Sequence, residues 1–348
     1  MIPPAEYGEE MNQDVERYLD DIHRDVSRTF DAALQKLSGD LRREVQVGYL
    51  MCRIPDTIED SSQLSGDEKY ELLEQYRNLI EDPDQRTVAE FVRNTLSRVN
   101  PEGDSSWDLV KNTHAVTGAF KTFDEEVKEY MKDAVGEMSR GMADFSKAAY
   151  ENGKDGIRIH SFNDLHDYCH YVAGTVGELL TGVFSYHEHM PEELWDNYED
   201  FAQYLQTVNI IKDPVEDLEK ESAIFIPEEA LEDGKTHEDL EEALLSRDEK
   251  VVNPATENLL ERAEEKSDGA QEYIERVPED SEIRGYLEVP FLLAKATSRE
   301  ARENPDSVLD GELAIEKQEV LEILEKSGRT DLADISKFIS QQPLQEAD

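Results

Sequence analysis

Apolar residues recur along this chain with the period of an α-helix almost throughout. Ile22, Val26, Phe30, Ala33, Leu34 and Leu37 follow steps of three and four, which puts them on one helix face. Phe123, Val127, Tyr130, Met131, Ala134, Met138, Met142, Phe145 and Ala149 prolong a single stripe for about seven turns. Further helices are predicted over 40–60, 67–81, 86–98, 106–120, 162–187, 191–217, 254–276, 282–301 and 311–327. No stretch alternates with period two over strand length, so the pattern predicts an all-α fold.

Short turn signals separate these helices, among them Asp82-Pro83-Asp84, Asn100-Pro101-Glu102-Gly103 and Asn152-Gly153. Residues 219–253 depart from the pattern. They are strongly acidic around one apolar island, Ala223-Ile224-Phe225-Ile226-Pro227, and read as a long loop or lid with a short helix. No breaker-rich segment divides the chain. The expected organisation is one helical domain over 13–340, with tails at 1–12 and 341–348.

Charge narrows the function. The 348 residues include 82 Asp+Glu against 36 Lys+Arg, a formal net charge of −46. Binding to bare nucleic acid needs clustered Lys and Arg on phosphates, so it is excluded as the main role. A basic membrane-docking face is excluded likewise. Fourteen Tyr, eleven Phe and long apolar stripes argue against disorder. The acid therefore reads as the outer shell of a salt-adapted prokaryotic protein, in which high salt screens self-repulsion. Two cysteines, Cys52 and Cys169, form no disulfide framework and suit a reducing compartment. The first residues do not read as a signal peptide, and no apolar run is long enough to span a bilayer. The expected location is the cytoplasm, at most peripheral to a membrane.

The chemistry lies in a repeated element. Residues 56–60 read Asp-Thr-Ile-Glu-Asp and residues 213–217 read Asp-Pro-Val-Glu-Asp, two copies of D-x-x-E-D. On a helix Asp56 and Asp60 share a face, as do Asp213 and Asp217, with Glu59 and Glu216 one turn from the first aspartate. Like charges so spaced repel by a few tenths of a kcal/mol even on an exposed helix. Apolar surroundings make this worse unless a cation is present. Mg²⁺ is held by one or two carboxylates plus substrate phosphates, so two facing patches suit several Mg²⁺ ions and a diphosphate. In so acidic a chain either copy alone is weak, but each follows an apolar helix and carries a cation, Arg53 or Lys212, just before the acids.

Four ordered stretches carry a resemblance. Ser27-Arg28-Thr29-Phe30, YLMCRIPDTIED (49–60), YCHYVAGTVG (168–177) and LQTVNIIKDPVED (205–217) resemble the squalene/phytoene synthase family of head-to-head prenyl transferases. Weaker similarity reaches about residue 325. D-T-x-E-D and YCHYVAG are more similar to the squalene synthase branch than to the phytoene branch.

The resemblance implies a single isoprenoid-synthase-type helical bundle around a central cavity. It implies Mg²⁺ held by Asp56, Glu59, Asp60, Asp213, Glu216 and Asp217. Arg28, Arg53 and Lys212 would neutralise diphosphate oxygens, with Ser27 donating a hydrogen bond. Tyr49 and Tyr168 would face the reacting carbons with Arg53, one tyrosine helping to take a proton. Gln206 and Asn209 would line the cavity, and Ala173, Gly174 and Gly177 would leave room for a long isoprenoid. Two farnesyl diphosphates would condense to presqualene diphosphate, which NADPH would reduce to squalene.

The alternative is phytoene-type condensation of two geranylgeranyl diphosphates without reduction. No G-x-G-x-x-G follows a strand, so NADPH would be met by scattered cations, Arg28, Arg53, Lys212 and Lys317. Within 313–318 only Lys317 is basic, and Glu316 falls where a cation is expected. Product release implies transient membrane contact without an integral segment. His166, Cys169 and His170 also have zinc-ligand spacing, but the YCHYVAG pattern already accounts for Cys169 and His170.

Overall fold

The computed structural model describes residues 9–153 and 156–344, and among these the side chains at 9–12, 28 and 29 are outside the description. The helices are α1 (Glu9–Val26), α2 (Arg28–Leu34), α3 (Gly39–Glu59), α4 (Gly66–Glu81), α5 (Gln85–Leu96), α6 (Ser105–Lys111), α7 (Thr113–Phe120), α8 (Glu125–Glu151) and α9 (Phe162–Cys169). They continue as α10 (Thr175–His187), α11 (Tyr198–Lys212), α12 (Pro214–Glu221), α13 (His237–Ser246), α14 (Glu249–Glu275), α15 (Glu282–Glu303), α16 (Asp306–Asp310), α17 (Lys317–Lys326) and α18 (Leu332–Ile339). No strand occurs among the described residues, and the one isolated bridge joins Arg158 to Ile224. The all-α expectation holds.

Local chemistry fixes several boundaries. α4 opens on a capping box, in which Ser65 accepts from the Glu68 amide and Glu68 reaches back to the Ser65 amide. The predicted helix over 106–120 is two, because Asn112 takes a non-helical conformation between α6 and α7. The predicted helix over 191–217 breaks at Asp213, where Pro214 cannot donate a backbone hydrogen bond and instead starts α12. Pro55 and Pro254 are tolerated inside longer helices. The stretch 162–187 is continuous but passes through a π-helical turn at His170–Gly174, a distortion frequent at functional sites.

Two further expectations need correction. Residues 219–253 are not mainly loop: α12 runs to Glu221, a short 3-10 turn covers Glu228–Ala230, α13 follows, and α14 begins at Glu249. Only 222–236 form an irregular strap. The acidic sequence misled because its acids lie on the outer faces of α13 and α14, while Leu240, Leu244, Val252 and Leu259 are buried. The helix expected over 311–327 starts only at Lys317, after a left-handed Gly311.

α3, α10 and α11 run through the interior. α8 packs against α3, α4 and α10, and α11 packs against α14 and α15. Tyr76, Tyr204, Tyr273, Phe91, Phe184 and Phe291 are among the largest fully buried side chains. The core is thus continuous from α4 across α11 to α15. The acidic repeats end α3 and begin α12, so this arrangement sets where they meet.

Candidate active site

α3 is buried along most of its length, with one opening. From Glu44 to Asp60 every residue is buried except Tyr49, Arg53, Asp56 and Asp60. Steps of four, three and four place these four side chains on a single face. Arg53 pairs with Asp56, and its Nη1 lies 3.6 Å from the Asp60 carboxylate. The guanidinium Nε is buried without a hydrogen-bond partner.

The second motif faces the first. Burial, then the charges of Asp213 and Asp60, push the Asp217 carboxyl up to about 8. Asp60 itself is raised by burial, against the pull of Arg53 and Lys69. Glu221, one helical turn beyond Asp217, joins them: burial and the charges of Asp60, Glu59 and Asp217 hold its carboxyl well above the usual range. Lys212 Nζ lies 2.9 Å from Asp213.

Asp60 stands near Asp217 and Glu221, and Asp217 near Asp213; Asp56 sits beside Asp60 on Arg53, and Lys69 beside Glu59 and Asp60. The i, i+4 step from Asp217 could have found Glu221. Lys69 carried no signal: it is a buried lysine on α4 whose Nζ donates to the Glu59 carbonyl.

Glu216 points away from the cluster, and Glu59 lies beneath it, reaching both Asp60 and Tyr168. Glu216 is exposed and pairs with Lys220. Glu59 is 3% exposed and turned inward, with Oε1 3.5 Å from the Tyr168 hydroxyl. Burial and Asp60 raise its proton affinity. Tyr168 is raised well above the ordinary phenol range by burial and by Glu59, Asp60 and Glu221. It therefore remains a protonated donor.

Tyr168 lies under the strap. Phe225 stacks on it with ring centroids 4.8 Å apart, and Phe145 meets it edge-on at 5.3 Å. The strap is tied to 157–160 by backbone bonds, Ile224 N to Ile157 O at 2.9 Å, Ile159 N to Ile224 O at 3.2 Å and Glu228 N to Ile159 O at 3.0 Å. Gly156 permits this approach, since a Cβ there would stand 2.2 Å from the Ser222 carbonyl oxygen.

Tyr49 stands at the far end of the open face, its hydroxyl 3.4 Å from the Val26 carbonyl and its ring against His23 and Phe30. Burial raises its phenol. The Ser27 hydroxyl is buried beside the Tyr49 phenol. The Arg28 side chain lies outside the described residues. On α11, Gln206 is half-buried and Asn209 exposed, at steps of three and four before Asp213.

Gly174 and Gly177 do not open the cavity. A Cβ on Gly174 would stand 2.6 Å from Glu199 Oε2, and one on Gly177 3.1 Å from Tyr198. They let α10 and the π turn close on α11. His170 Nδ1 lies 3.1 Å from Glu199 and Cys169 is buried, so the zinc spacing of 166–170 is used for packing. Lys317 is exposed at the start of α17 and has no hydrogen bond or ion pair to the carboxylates.

The cluster's donors are carboxylate oxygens: burial first, and their mutual repulsion second, outweigh what Lys212 offsets at Asp217 and Lys69 at Glu221. A hard divalent cation such as Mg²⁺ fits that donor set. Arg53 and Lys212 are engaged by carboxylates in this state, and Lys317 stands on α17, an element that contributes nothing to the carboxylate cluster.

A family model described as squalene/phytoene synthase matches residues 23–319. Among curated proteins, the squalene synthase of Rattus norvegicus is 27% identical over 311 residues, 88% of this chain and 68% of that protein. The Botryococcus squalene synthase of Botryococcus braunii is 33% identical over 210 residues, 59% of this chain. The match spans only 41% of that relative's length. A solved structure, TcSQS in complex with the ligand E5700, superposes with a TM-score of 0.79 at 21% identity, covering 94% of this chain and 90% of that one. That likeness shows a shared fold.

Proposed function

This chain belongs to the squalene/phytoene synthase family, and from that premise we propose that it is a Mg²⁺-dependent squalene synthase. It would join two farnesyl diphosphates head to head as presqualene diphosphate and reduce this with NADPH to squalene. The observation that carries the reading is the single open face on buried α3, Tyr49-Arg53-Asp56-Asp60, opposite Asp217 and Glu221.

Asp56, Asp60, Asp213, Asp217 and Glu221 would hold the Mg²⁺ ions. Bound there, they would supply electrophilic pull on the diphosphate. Arg53 and Lys212 would turn from their carboxylates to the diphosphate oxygens, a charge-assisted exchange. The buried Ser27 hydroxyl, next to Tyr49 in this state, would donate to the same group, with Arg28 beside it in sequence. Gln206 and Asn209 would line the α11 wall.

Loss of diphosphate leaves an allylic cation. The double bond of the second farnesyl chain attacks it, and a carbon-bound proton must leave as the cyclopropane closes. Tyr168 and Glu59 form the route we assign to that proton: it passes to the phenol oxygen as the phenol's own proton moves to Glu59, which must enter the step as the carboxylate, the form that Lys69 and the Tyr168 hydrogen bond favour. Tyr49 would flank the cation with its aromatic face. The strap, with Phe225 on Tyr168, would exclude water that would otherwise quench the cation. We read residues 13–340 as the one catalytic domain and the strap as its lid.

Similarity to curated squalene synthases supports the reductive step. The exposed, isolated position of Lys317 favours the second reading, condensation without reduction. The acidic composition supports a salt-adapted prokaryotic source and a cytoplasmic location. Among the described residues no helix is long and apolar enough to cross a membrane; transient contact for product release is part of the same proposal, argued from the apolar product.

The test is product analysis in high salt with farnesyl diphosphate and Mg²⁺, with and without NADPH. Squalene formed only with NADPH upholds the proposal. Presqualene diphosphate under both conditions reduces it to the first step. Turnover only of the C20 diphosphate moves the chain to the phytoene reading.

A further inference from the structure

A second cluster of ligating groups lies where the strap meets 157–160, apart from the acidic site. His160 closes that segment, Glu228 lies on the strap, and His237 is the first residue of α13. Their potential ligand atoms lie within 4.8 Å of one another. The two imidazole rings are 5.0 Å apart between centroids.

His237 is 2% exposed. Its Nε2 lies 3.3 Å from the Ile226 carbonyl oxygen, an acceptor that fixes the proton on Nε2. Nδ1 is then a bare lone pair. It is buried with no hydrogen-bond partner, 3.5 Å from Glu228 Oε2. An unsatisfied buried acceptor is costly, whereas a ligating histidine commonly donates its other N–H to a backbone carbonyl. Glu228 is already held in place, accepting from the His237 amide at 2.9 Å. The nearby Arg158 charge is neutralised by Glu241 at 3.0 Å.

We propose that His160, Glu228 and His237 form a three-ligand site for a divalent transition metal of the zinc type. Two imidazoles and one carboxylate suit zinc and its neighbours, while Mg²⁺ and Ca²⁺ take oxygen. Ligands on a tetrahedral zinc stand about 3.4 Å apart, so the group must contract slightly. His160 is exposed and free to supply that rotation. The ion bolts strap to segment and thereby holds Phe225 on Tyr168. The site is independent of which prenyl diphosphate the protein uses.

The test uses the full chain, stripped with chelator and returned to millimolar Mg²⁺ so that the carboxylate cluster is saturated. Zn²⁺ is titrated calorimetrically, and Co²⁺ is used as a spectroscopic probe. We expect one Zn²⁺ per chain and four-coordinate Co²⁺ bands. His160→Ala, at an exposed position, should weaken Zn²⁺ at least ~10-fold, and His237→Ala should do the same. His166→Ala should leave it unchanged. Zn²⁺ should also slow hydrogen exchange at the Ile224, Glu228 and Glu229 amides, which bond across the junction. Equal Zn²⁺ affinity in the parent and His160→Ala, or no Zn²⁺ binding above the Mg²⁺ background, overturns the proposal.

Discussion

Phe225 lies nearly flat on Tyr168, with centroids 4.8 Å apart and planes 22° from parallel. One residue comes from the strap, the other from the helix end beside the π turn. The strap therefore covers the Tyr168–Glu59 pair rather than crossing a remote surface.

Phe225→Leu should keep the fold, costing roughly 1–2 kcal/mol of stability. It should open the cover over Tyr168, and a larger share of turnover should end as water-quenched alcohols. Mass analysis of the prenyl products checks this. An unchanged product ratio would show that the strap does not exclude water.

Mg²⁺ with pyrophosphate should raise the melting temperature of the parent protein. A ligand at 100 times its dissociation constant adds about 2.7 kcal/mol. Asp60→Asn and Asp217→Asn should each remove most of that shift. Glu216→Gln should retain it, because Glu216 is exposed and paired with Lys220. Thermal unfolding of the four proteins distinguishes the cluster found here from the motif as written.

Tyr168→Phe should lower the rate of presqualene diphosphate formation by about 10²-fold or more, the usual scale for losing a positioned proton-transfer group. Glu59→Gln should fall in the same range. Diphosphate binding, read by calorimetry with Mg²⁺, should change little in either. A large loss of binding with intact single-turnover rates would return Glu59 to metal ligation.

The metal-free protein should lose stability as pH rises from about 4 toward 8. An aspartate titrates near 3.9 when unfolded, whereas Asp217 is raised to about 8 in the folded state. The folded state then binds the proton more tightly, so its advantage is complete below the unfolded value and disappears as pH passes the folded one. Glu221 shifts in the same direction. Melting temperatures measured in chelator should slope downward across this window, and Mg²⁺ or Asp217→Asn should flatten the slope.

Arg299 and Glu319 form a buried two-pronged pair at 2.8 and 2.9 Å, and Arg299 also donates to the Ile339 carbonyl. The pair joins α15, α17 and α18. Glu319→Ala leaves the buried guanidinium with only the longer carboxylate contact to Glu300 at 3.8 Å and should cost about 3 kcal/mol. Arg299→Met combined with Glu319→Leu should recover much of it. Denaturant unfolding of both variants checks this.

The helical period alone determined the all-α class and most helices, because a buried stripe must repeat every three to four residues whatever it packs against. It also determined that Asp56, Asp60, Arg53 and Tyr49 share a face. Tertiary packing decided the rest. Whether Glu59 turns to Tyr168 or to the open face depends on which side of α3 meets α9, and no local spacing encodes that. Glu221 and Lys69 join the site because α12 carries Glu221 near Asp60 and Glu59 and α4 packs on α3. Gly174 and Gly177 serve helix contact because α11 arrives on their side. His160, Glu228 and His237 are scattered in sequence and meet only because the strap pairs with 157–160. Local periodicity sets which residues share an element's face; only the packing of elements distant in sequence sets what that face meets.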